Sequence, residues 1–190
     1  MAKKLDQIIV VDVESTCWQG SKPAGQESEI IEIGICTVDI ASLQRLEKES
    51  ILVKPERSTV SEFCTQLTTL TQPQVEQGIA FEAACSILKK KYLSKERIWA
   101  SYGDYDRRQF ERQCQSLKVS YPFGTRHINV KSLCAIIRAL PEEVGMDKAL
   151  ELLNLPLEGT HHRGGDDAWN IAGILSKLLL QARSDRPNPA

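Results

Sequence analysis

Three segments within the first 54 residues are rich in β-branched residues, and they constrain the fold more than any other feature of the chain. Ile8–Val11 is a short apolar run, Ile30–Ile40 is apolar and partly alternating, and Glu49–Lys54 has a similar pattern. Alternating or continuous runs of Val, Ile and Thr favour strands over helices. We therefore expect a meander of three strands before Pro55.

The pattern then changes to helical spacing interrupted by two short strand candidates at residues 97–100 and 127–130. Helices are expected over residues 79–93, 106–117, 131–140, 147–153 and 166–182. The resulting order, βββαβαβααα, is typical of an α/β fold in which helices flank a mixed sheet. We interpret residues 1–182 as a single domain and residues 183–190 as a polar, flexible tail.

The composition is that of a globular protein. The chain has 190 residues, of which 42% are hydrophobic and 26% charged, which excludes an intrinsically disordered protein. A formal net charge of -1 argues against a general cationic surface for nucleic acid. The sequence contains no apolar run of signal-peptide or membrane-helix length and no C-x-x-C pair among its six cysteines. We therefore expect a cytoplasmic protein with reduced thiols and no membrane association.

An acidic pair, Asp12 and Glu14, directly follows the first apolar strand. Because residues i and i+2 of a strand point to the same side, both carboxylates face one way. Neighbouring carboxylates repel each other unless a cation lies between them, and Mg²⁺ and Mn²⁺ prefer oxygen ligands. A solvated strand end is the alternative interpretation of this pair.

A second candidate acid must be chosen between Asp104 and Asp106. Asp106 lies four residues before Phe110, so it shares the apolar face of the helix predicted to follow. We therefore expect Asp106 to face the sheet, where a carboxylate needs a partner, and Asp104 to cap the helix.

A third cluster precedes the last predicted helix and contains two H-x-x-x-x-D pairs, His161/Asp166 and His162/Asp167. Asp167 shares the helix face of the apolar stripe, whereas Asp166 falls on the wetter face and suits a helix start. The intervening Gly164-Gly165 predicts a loop that bends freely over the site. For any single histidine, a structural role is the alternative to catalysis.

In this combination the chain resembles the DEDDh 3′–5′ exonucleases, a family with a ribonuclease-H-like fold that includes the RNase T and proofreading nucleases. Asp12–Thr16 is similar to the D-x-E-x-T motif, Tyr105-Asp106 to the second motif, and His162–Asp167 to the H-x-x-x-x-D motif. Within the family the chain is most similar to the enhanced-RNAi-type branch, which includes the histone-mRNA 3′ exonuclease and bacterial relatives. The resemblance implies a central mixed five-stranded sheet flanked by helices.

The resemblance also implies a metal-dependent reaction. Four carboxylates would hold two Mg²⁺ or Mn²⁺ ions around the scissile phosphate, and they belong to Asp12, Glu14, Asp106 and Asp167. His162 would take a proton from the attacking water and, with Glu14, would be a catalytic residue. The implied reaction removes nucleoside 5′-monophosphates from the 3′ end of single-stranded or 3′-overhang nucleic acid, with RNA expected as the substrate.

Further residues are implied to contact the strand end. These are Thr16, Cys17, Trp18, Leu67, Thr68, Tyr105 and Arg163. Trp18 would stack on a base, as aromatic side chains do for single strands. Core packing is the alternative role for Trp18 and Leu67.

Two other functions are consistent with the same residues. One is a non-catalytic nucleic-acid-binding or regulatory module on this fold, and the other is a DNA-directed exonuclease. A binding module has no need for four acids and a histidine together, which favours the enzyme. The sequence does not distinguish RNA from DNA, because recognition of the 2′-hydroxyl depends on the shape of the pocket, and it makes no prediction of oligomeric state.

Overall fold

The computed structural model describes residues 3–184. Its centre is one mixed five-stranded sheet with the strand order β3-β2-β1-β4-β5, as expected for a ribonuclease-H-like fold. The strands are β1 (Gln7–Ser15), β2 (Ile30–Asp39), β3 (Arg45–Leu52), β4 (Ile98–Ser101) and β5 (His127–Asn129).

The central strand β1 has neighbours of different length on its two sides. It pairs antiparallel with β2 as far as Ser15 but parallel with β4 only from Ile8 to Val10. Within the described residues, Val11 to Ser15 therefore have no strand neighbour on the β4 side. This gap is where the acidic end of β1 lies.

Seven helices cover the sheet in the described part of the chain. They are α1 (Glu62–Thr68), α2 (Gln72–Val75), α3 (Phe81–Lys91), α4 (Tyr105–Leu117), α5 (Val130–Ile137), α6 (Met146–Leu152) and α7 (Gly164–Ser184). The sequence pattern did not predict α1 and α2. α2 has only four residues and four of the seven residues of α1 are polar, so neither shows a clear apolar period. Side chains stabilise the beginnings of both helices. Ser61 accepts a hydrogen bond from the Cys64 N–H at 3.0 Å, and Thr71 and Gln74 form a capping box.

Several predicted boundaries differ from the structure: β1 continues through both acids to Ser15 instead of ending before them, and α5 ends at Ile137 rather than Leu140. β3 begins at Arg45 rather than Glu49, because this strand forms the edge of the sheet and its first half is polar and largely exposed. The last helix runs to Ser184, so Arg183 and Ser184 are helical rather than part of the expected tail. The rest of that tail, residues 185–190, lies outside the described residues.

The alternation of β1 side chains separates two apolar layers. Ile8 and Val10 pack with α5, α6 and α7 on one face, whereas Val11 packs with α3 and α4 on the other. Asp12 and Glu14 continue the period of Ile8 and Val10, so they point to the face covered by α7. The strand period therefore directs both acids toward the helix that carries the third cluster.

All six cysteines are free thiols, and five of them are buried. Within residues 3–184, no helix combines the length and the hydropathy needed to cross a bilayer.

Candidate active site

Three glycines let the first turn of α7 touch the sheet. A Cβ placed on Gly34 would lie 1.8 Å from the carbonyl atoms of Gly164 and 2.4 Å from the Gly165 nitrogen. Gly34 is the register partner of Asp12 across the β1–β2 pair. The backbone contact therefore brings the start of α7 directly beside the acidic end of β1.

This contact corrects the expected role of Gly164-Gly165. Both residues are helical and buried, and neither has a positive φ. They are needed for close approach rather than for a flexible bend, because any side chain at Gly34 or Gly164 would meet backbone atoms. The left-handed backbone before the helix belongs instead to His162, with φ 62°.

Three of the predicted acids converge. Carboxylate oxygens of Asp12, Glu14 and Asp167 all lie within 4.8 Å of one another. Glu14 and Asp167 are buried, whereas Asp12 is half-buried. The inward orientation predicted for Asp167 from its helix face is confirmed, and Asp166 lies outside this group, where its carboxylate accepts from the Thr160 N–H at 2.8 Å.

The fourth acid, Asp106, enters the gap beside β1. Its Oδ1 accepts a hydrogen bond from the Val13 N–H at 3.0 Å, so this buried carboxylate takes the place of the missing β4 partner. The inward orientation predicted for Asp106 is thus confirmed. Asp104 lies at the N-cap position of α4, as predicted, but its side chain makes no capping hydrogen bond and instead forms an ion pair with Arg107 at 3.3 Å.

Burial, and after it the negative charge of neighbouring acids, raises the pKa values of the carboxyl groups in this site. Burial raises the pKa of Glu14 to about 8, and the charges of Asp167 and Glu32 add to the shift. Burial also raises the pKa of Asp106 to about 7, although the hydrogen bond from Val13 opposes the shift. The pKa of Asp12 is raised by burial and then by repulsion from Asp106 and Glu14. A cation that binds between closely spaced acids relieves their repulsion and so lowers the free energy of the site.

The residues present fit divalent metal ions. Within residues 3–184, no lysine or arginine forms an ion pair with Asp12, Glu14, Asp106 or Asp167. The carboxylate oxygens provide the hard ligands that Mg²⁺ and Mn²⁺ prefer. The negative charge of the site is therefore left for a bound cation to neutralise.

Both histidines of the third cluster lie against Asp167. Their rings stack with centroids 3.9 Å apart, and His161 Nδ1 lies 3.0 Å from Asp167 Oδ2. His162 donates its backbone N–H to the same oxygen at 3.0 Å. The two rings line one pocket, so the geometry brings His161 as well as the predicted His162 to the acids.

All four acids line a pocket of about 350 Å³. Its walls include three of the residues expected to contact substrate, namely Cys17, Leu67 and Tyr105. Leu67 is 37% exposed and Tyr105 is 53% exposed, so core packing does not describe Leu67.

Four expected contact residues do not line this pocket. Thr16 and Thr68 are fully buried, and their hydroxyls are used inside the protein, by Ser58 at 2.9 Å and by the Cys64 carbonyl at 2.8 Å. Trp18 is half-buried and does not line the pocket. The Arg163 guanidinium forms an ion pair with Glu32 at 3.0 Å. None of these four side chains thus lines the pocket that contains the acids.

The sequence interpretation did not identify one group of residues that line the pocket. It consists of Tyr102, Lys131, Gly145 and Met146. Lys131 is the only lysine or arginine among the lining residues, and its Nζ lies 3.9 Å from Glu143 Oε2. A usable signal was present, because Lys131 follows β5 closely and ligands bind beyond the carboxyl ends of parallel strands.

Comparison with known proteins gives one matching family. The RNase_T family, described as exonuclease, matches residues 9–175. A 3'-5' exoribonuclease 1 from Rattus norvegicus is 32% identical over 187 residues, which cover 92% of this chain and 53% of that protein. The chain thus spans about half the length of the curated relatives it matches.

Two solved structures share the fold along nearly the whole chain. The nuclease domain of 3'hExo, a DEDDh family member bound to rAMP, aligns with a TM-score of 0.85 and 27% identity and covers 100% of this chain and 99% of that one. A 3'-exonuclease solved in a study of 3'-end specific recognition of histone mRNA stem-loop aligns with a TM-score of 0.83 and 27% identity, covering 95% of this chain and 65% of that one.

Proposed function

The chain belongs to the RNase_T exonuclease family, and we propose that it is a 3′–5′ exoribonuclease that releases nucleoside 5′-monophosphates from single-stranded or 3′-overhang RNA. The observation that carries the proposal is the convergence of the Asp12, Glu14 and Asp167 carboxylates within 4.8 Å, with Asp106 in the same pocket. The RNA substrate is supported by the exoribonuclease relative, which is 32% identical.

The family depends on divalent metal ions. For this chain we propose two ions, Mg²⁺ or Mn²⁺, held by Asp12, Glu14, Asp106 and Asp167. When bound, such ions stabilise the charge on the attacking and leaving oxygens of the phosphodiester.

The remaining steps belong to the chain's own groups. His162 takes the proton of the attacking water, since a neutral imidazole is a suitable base near neutral pH. Cys17, Leu67 and Tyr105 line the pocket beside the acids, where they position the terminal nucleotide. Tyr105 offers an exposed aromatic face on which a base can stack.

The function is tested with labelled single-stranded RNA, single-stranded DNA and a duplex with a 3′ overhang, each with Mg²⁺, Mn²⁺ or EDTA. We expect stepwise shortening of RNA from its 3′ end, release of nucleoside 5′-monophosphates, and complete inhibition by EDTA. Absence of EDTA-sensitive shortening of every substrate would favour a non-catalytic binding module. Faster shortening of DNA than of RNA would favour the DNA-directed alternative.

A pair of histidine variants tests the assignment of the base. His162→Ala is expected to lower kcat for RNA shortening by about 100-fold, because a positioned proton acceptor contributes at least that much. His161→Ala is the matched control, since it removes the stacked neighbour, and we expect a smaller loss. Single-turnover rates at saturating RNA provide the measurement, and a larger loss in His161→Ala would transfer the role to that residue.

Lys131 is expected to bind the substrate backbone. It contributes the only lysine or arginine side chain of the pocket wall, and a phosphate contact made equally in the ground and transition states changes KM rather than kcat. Lys131→Ala should therefore raise KM for RNA and leave kcat near that of the unaltered protein. Steady-state kinetics at two salt concentrations test this, with Lys148→Ala on the exposed side of α6 as the control. A fall in kcat at unchanged KM would contradict the assignment.

The cytoplasmic location stays a prediction, and the six free thiols support a reducing compartment.

A further inference from the structure

A fifth carboxylate, which the sequence interpretation did not single out, lies beside the four acids. Glu32 on β2 is 0% exposed, and its Cα is the register partner of Glu14 across the β1–β2 pair. A buried carboxylate in an already negative site is costly unless donors satisfy both of its oxygens.

Glu32 is fully occupied by such donors. Its Oε1 accepts from Arg163 Nη2 at 3.0 Å and from the Ser50 hydroxyl, and its Oε2 accepts from Arg163 Nε at 3.2 Å. The Gly164 N–H donates to Oε2 at 2.9 Å. With both oxygens engaged, Glu32 has little capacity left for a metal ion.

Two of the three residues that donate to Glu32, Arg163 and Gly164, lie at the start of α7, and the third, Ser50, lies on β3. Gly164 is the first residue of that helix, and its N–H has no acceptor within the helix. The carboxylate also favours the positive end of the helix dipole. Glu32 thus performs, from a neighbouring strand, the task that an N-cap side chain performs elsewhere.

We propose that Glu32 is a positioning residue that fixes the first turn of α7, and with it Arg163, so that Asp167 and His162 meet the acids of β1. The inference rests on the proposed function and assigns Arg163 to Glu32 rather than to the substrate. The pairing of Arg163 with Glu32 also neutralises the additional buried charge, so the acid cluster gains no unpaired fifth anion.

Glu32→Ala and Glu32→Gln test the proposal through Mn²⁺ affinity, measured by electron paramagnetic resonance on the full chain, and through kcat and KM for RNA. Glu32→Ala is expected to weaken Mn²⁺ binding and to lower kcat about 10–100-fold, the usual loss when groups that hold metal ligands in place are removed. KM for RNA should change little. Glu32→Gln should recover much of the loss, since its carbonyl oxygen can still accept from Gly164.

Two further variants separate positioning from other roles. Leu178→Ala removes buried apolar contacts near the other end of α7, so it should lower the melting temperature without changing Mn²⁺ affinity. Arg163→Ala should behave like Glu32→Ala; a raised KM with unchanged Mn²⁺ affinity would instead make Arg163 a substrate contact and overturn the assignment.

Wild-type Mn²⁺ affinity in both Glu32 variants would refute the positioning role even if the protein shortens RNA. Weakened Mn²⁺ binding in Glu32→Ala, restored in Glu32→Gln, would support that role even if the unaltered protein shortens no RNA. If Glu32→Ala does not fold, Arg163→Ala decides instead: weakened Mn²⁺ binding in the folded Arg163→Ala protein would support the positioning role, and wild-type affinity would count against it.

Discussion

Replacing Asp12 or Asp167 with asparagine is expected to reduce 3′ shortening of single-stranded RNA at least ~1000-fold, one order beyond the cost of removing a group that merely supports a metal ligand. Asparagine keeps the shape of the side chain but removes a charge from oxygens that lie within 4.8 Å of two other carboxylates. Without metal, the variants should be no less stable than the unaltered protein, because burial disfavours the charged form of both carboxylates and, at Asp12, repulsion from neighbouring acids adds to that cost. Single-turnover kinetics and thermal melting provide the measurements.

The effect of Mn²⁺ on the melting temperature tests the same prediction independently of activity. Mn²⁺ should raise the melting temperature of the unaltered protein, because an ion that binds only the folded state stabilises it by mass action. The two variants should show little or no rise. Asp104→Asn is the matched control, since it makes the same chemical change at an exposed ion pair near the start of α4 and should keep both activity and the Mn²⁺ effect. An Asp12→Asn protein that retains half of the wild-type rate would contradict the assignment of the site.

Gly34→Ala is expected to destabilise the protein by ~3 kcal/mol, the upper end of the usual cost of overpacking. The new Cβ would lie 1.8 Å from the carbonyl carbon and oxygen of Gly164. These are backbone atoms, so no side-chain rotation can relieve the clash. For a chain of this size, a loss of that order lowers the melting temperature by about 6–12 °C. Because the substitution separates α7 from β2, RNA shortening and Mn²⁺ affinity should fall with stability.

Gly173, which lies in α7, provides the control. Gly173 meets only the end of the flexible Arg45 side chain, whose Nη1 would lie 3.3 Å from a new Cβ. Gly173→Ala should be neutral or stabilise the protein by about 0.5–1 kcal/mol, since alanine is favoured over glycine within a helix. Equal melting temperatures for Gly34→Ala and the unaltered protein would show that the contact between β2 and α7 is looser than the structure indicates.

The sequence predicted those features that a local period encodes. The face of α4 identified Asp106 and the apolar stripe of α7 identified Asp167, because a side chain's position in the period determines which side of the element it occupies. The same argument placed Asp12 and Glu14 on one side of β1. These residues could be selected before any long-range contact was known.

Features that depend on two distant segments were not predictable in this way. The need for glycine at 164 arises from Gly34 on β2, and a Cβ on Gly165 would lie close to Ser50 and Glu49 on β3. In the sequence, Glu32 is not distinguished from the rest of a β-rich run, because its hydrogen-bond donor Gly164 belongs to a distant helix. Thr16 matches a motif by position, yet its hydroxyl bonds to Ser58. In each case the partner is set by tertiary packing, which no local pattern contains.

The gathering of acids from both β1 and α7 also bears on how the protein is made. Asp12 is synthesised before Asp167, which is contributed by the last of the described helices. A ribosome-bound chain that has not yet released α7 lacks one of the three converging carboxylates and both neighbouring histidines. The site is therefore assembled only after nearly all of the described fold has left the ribosome.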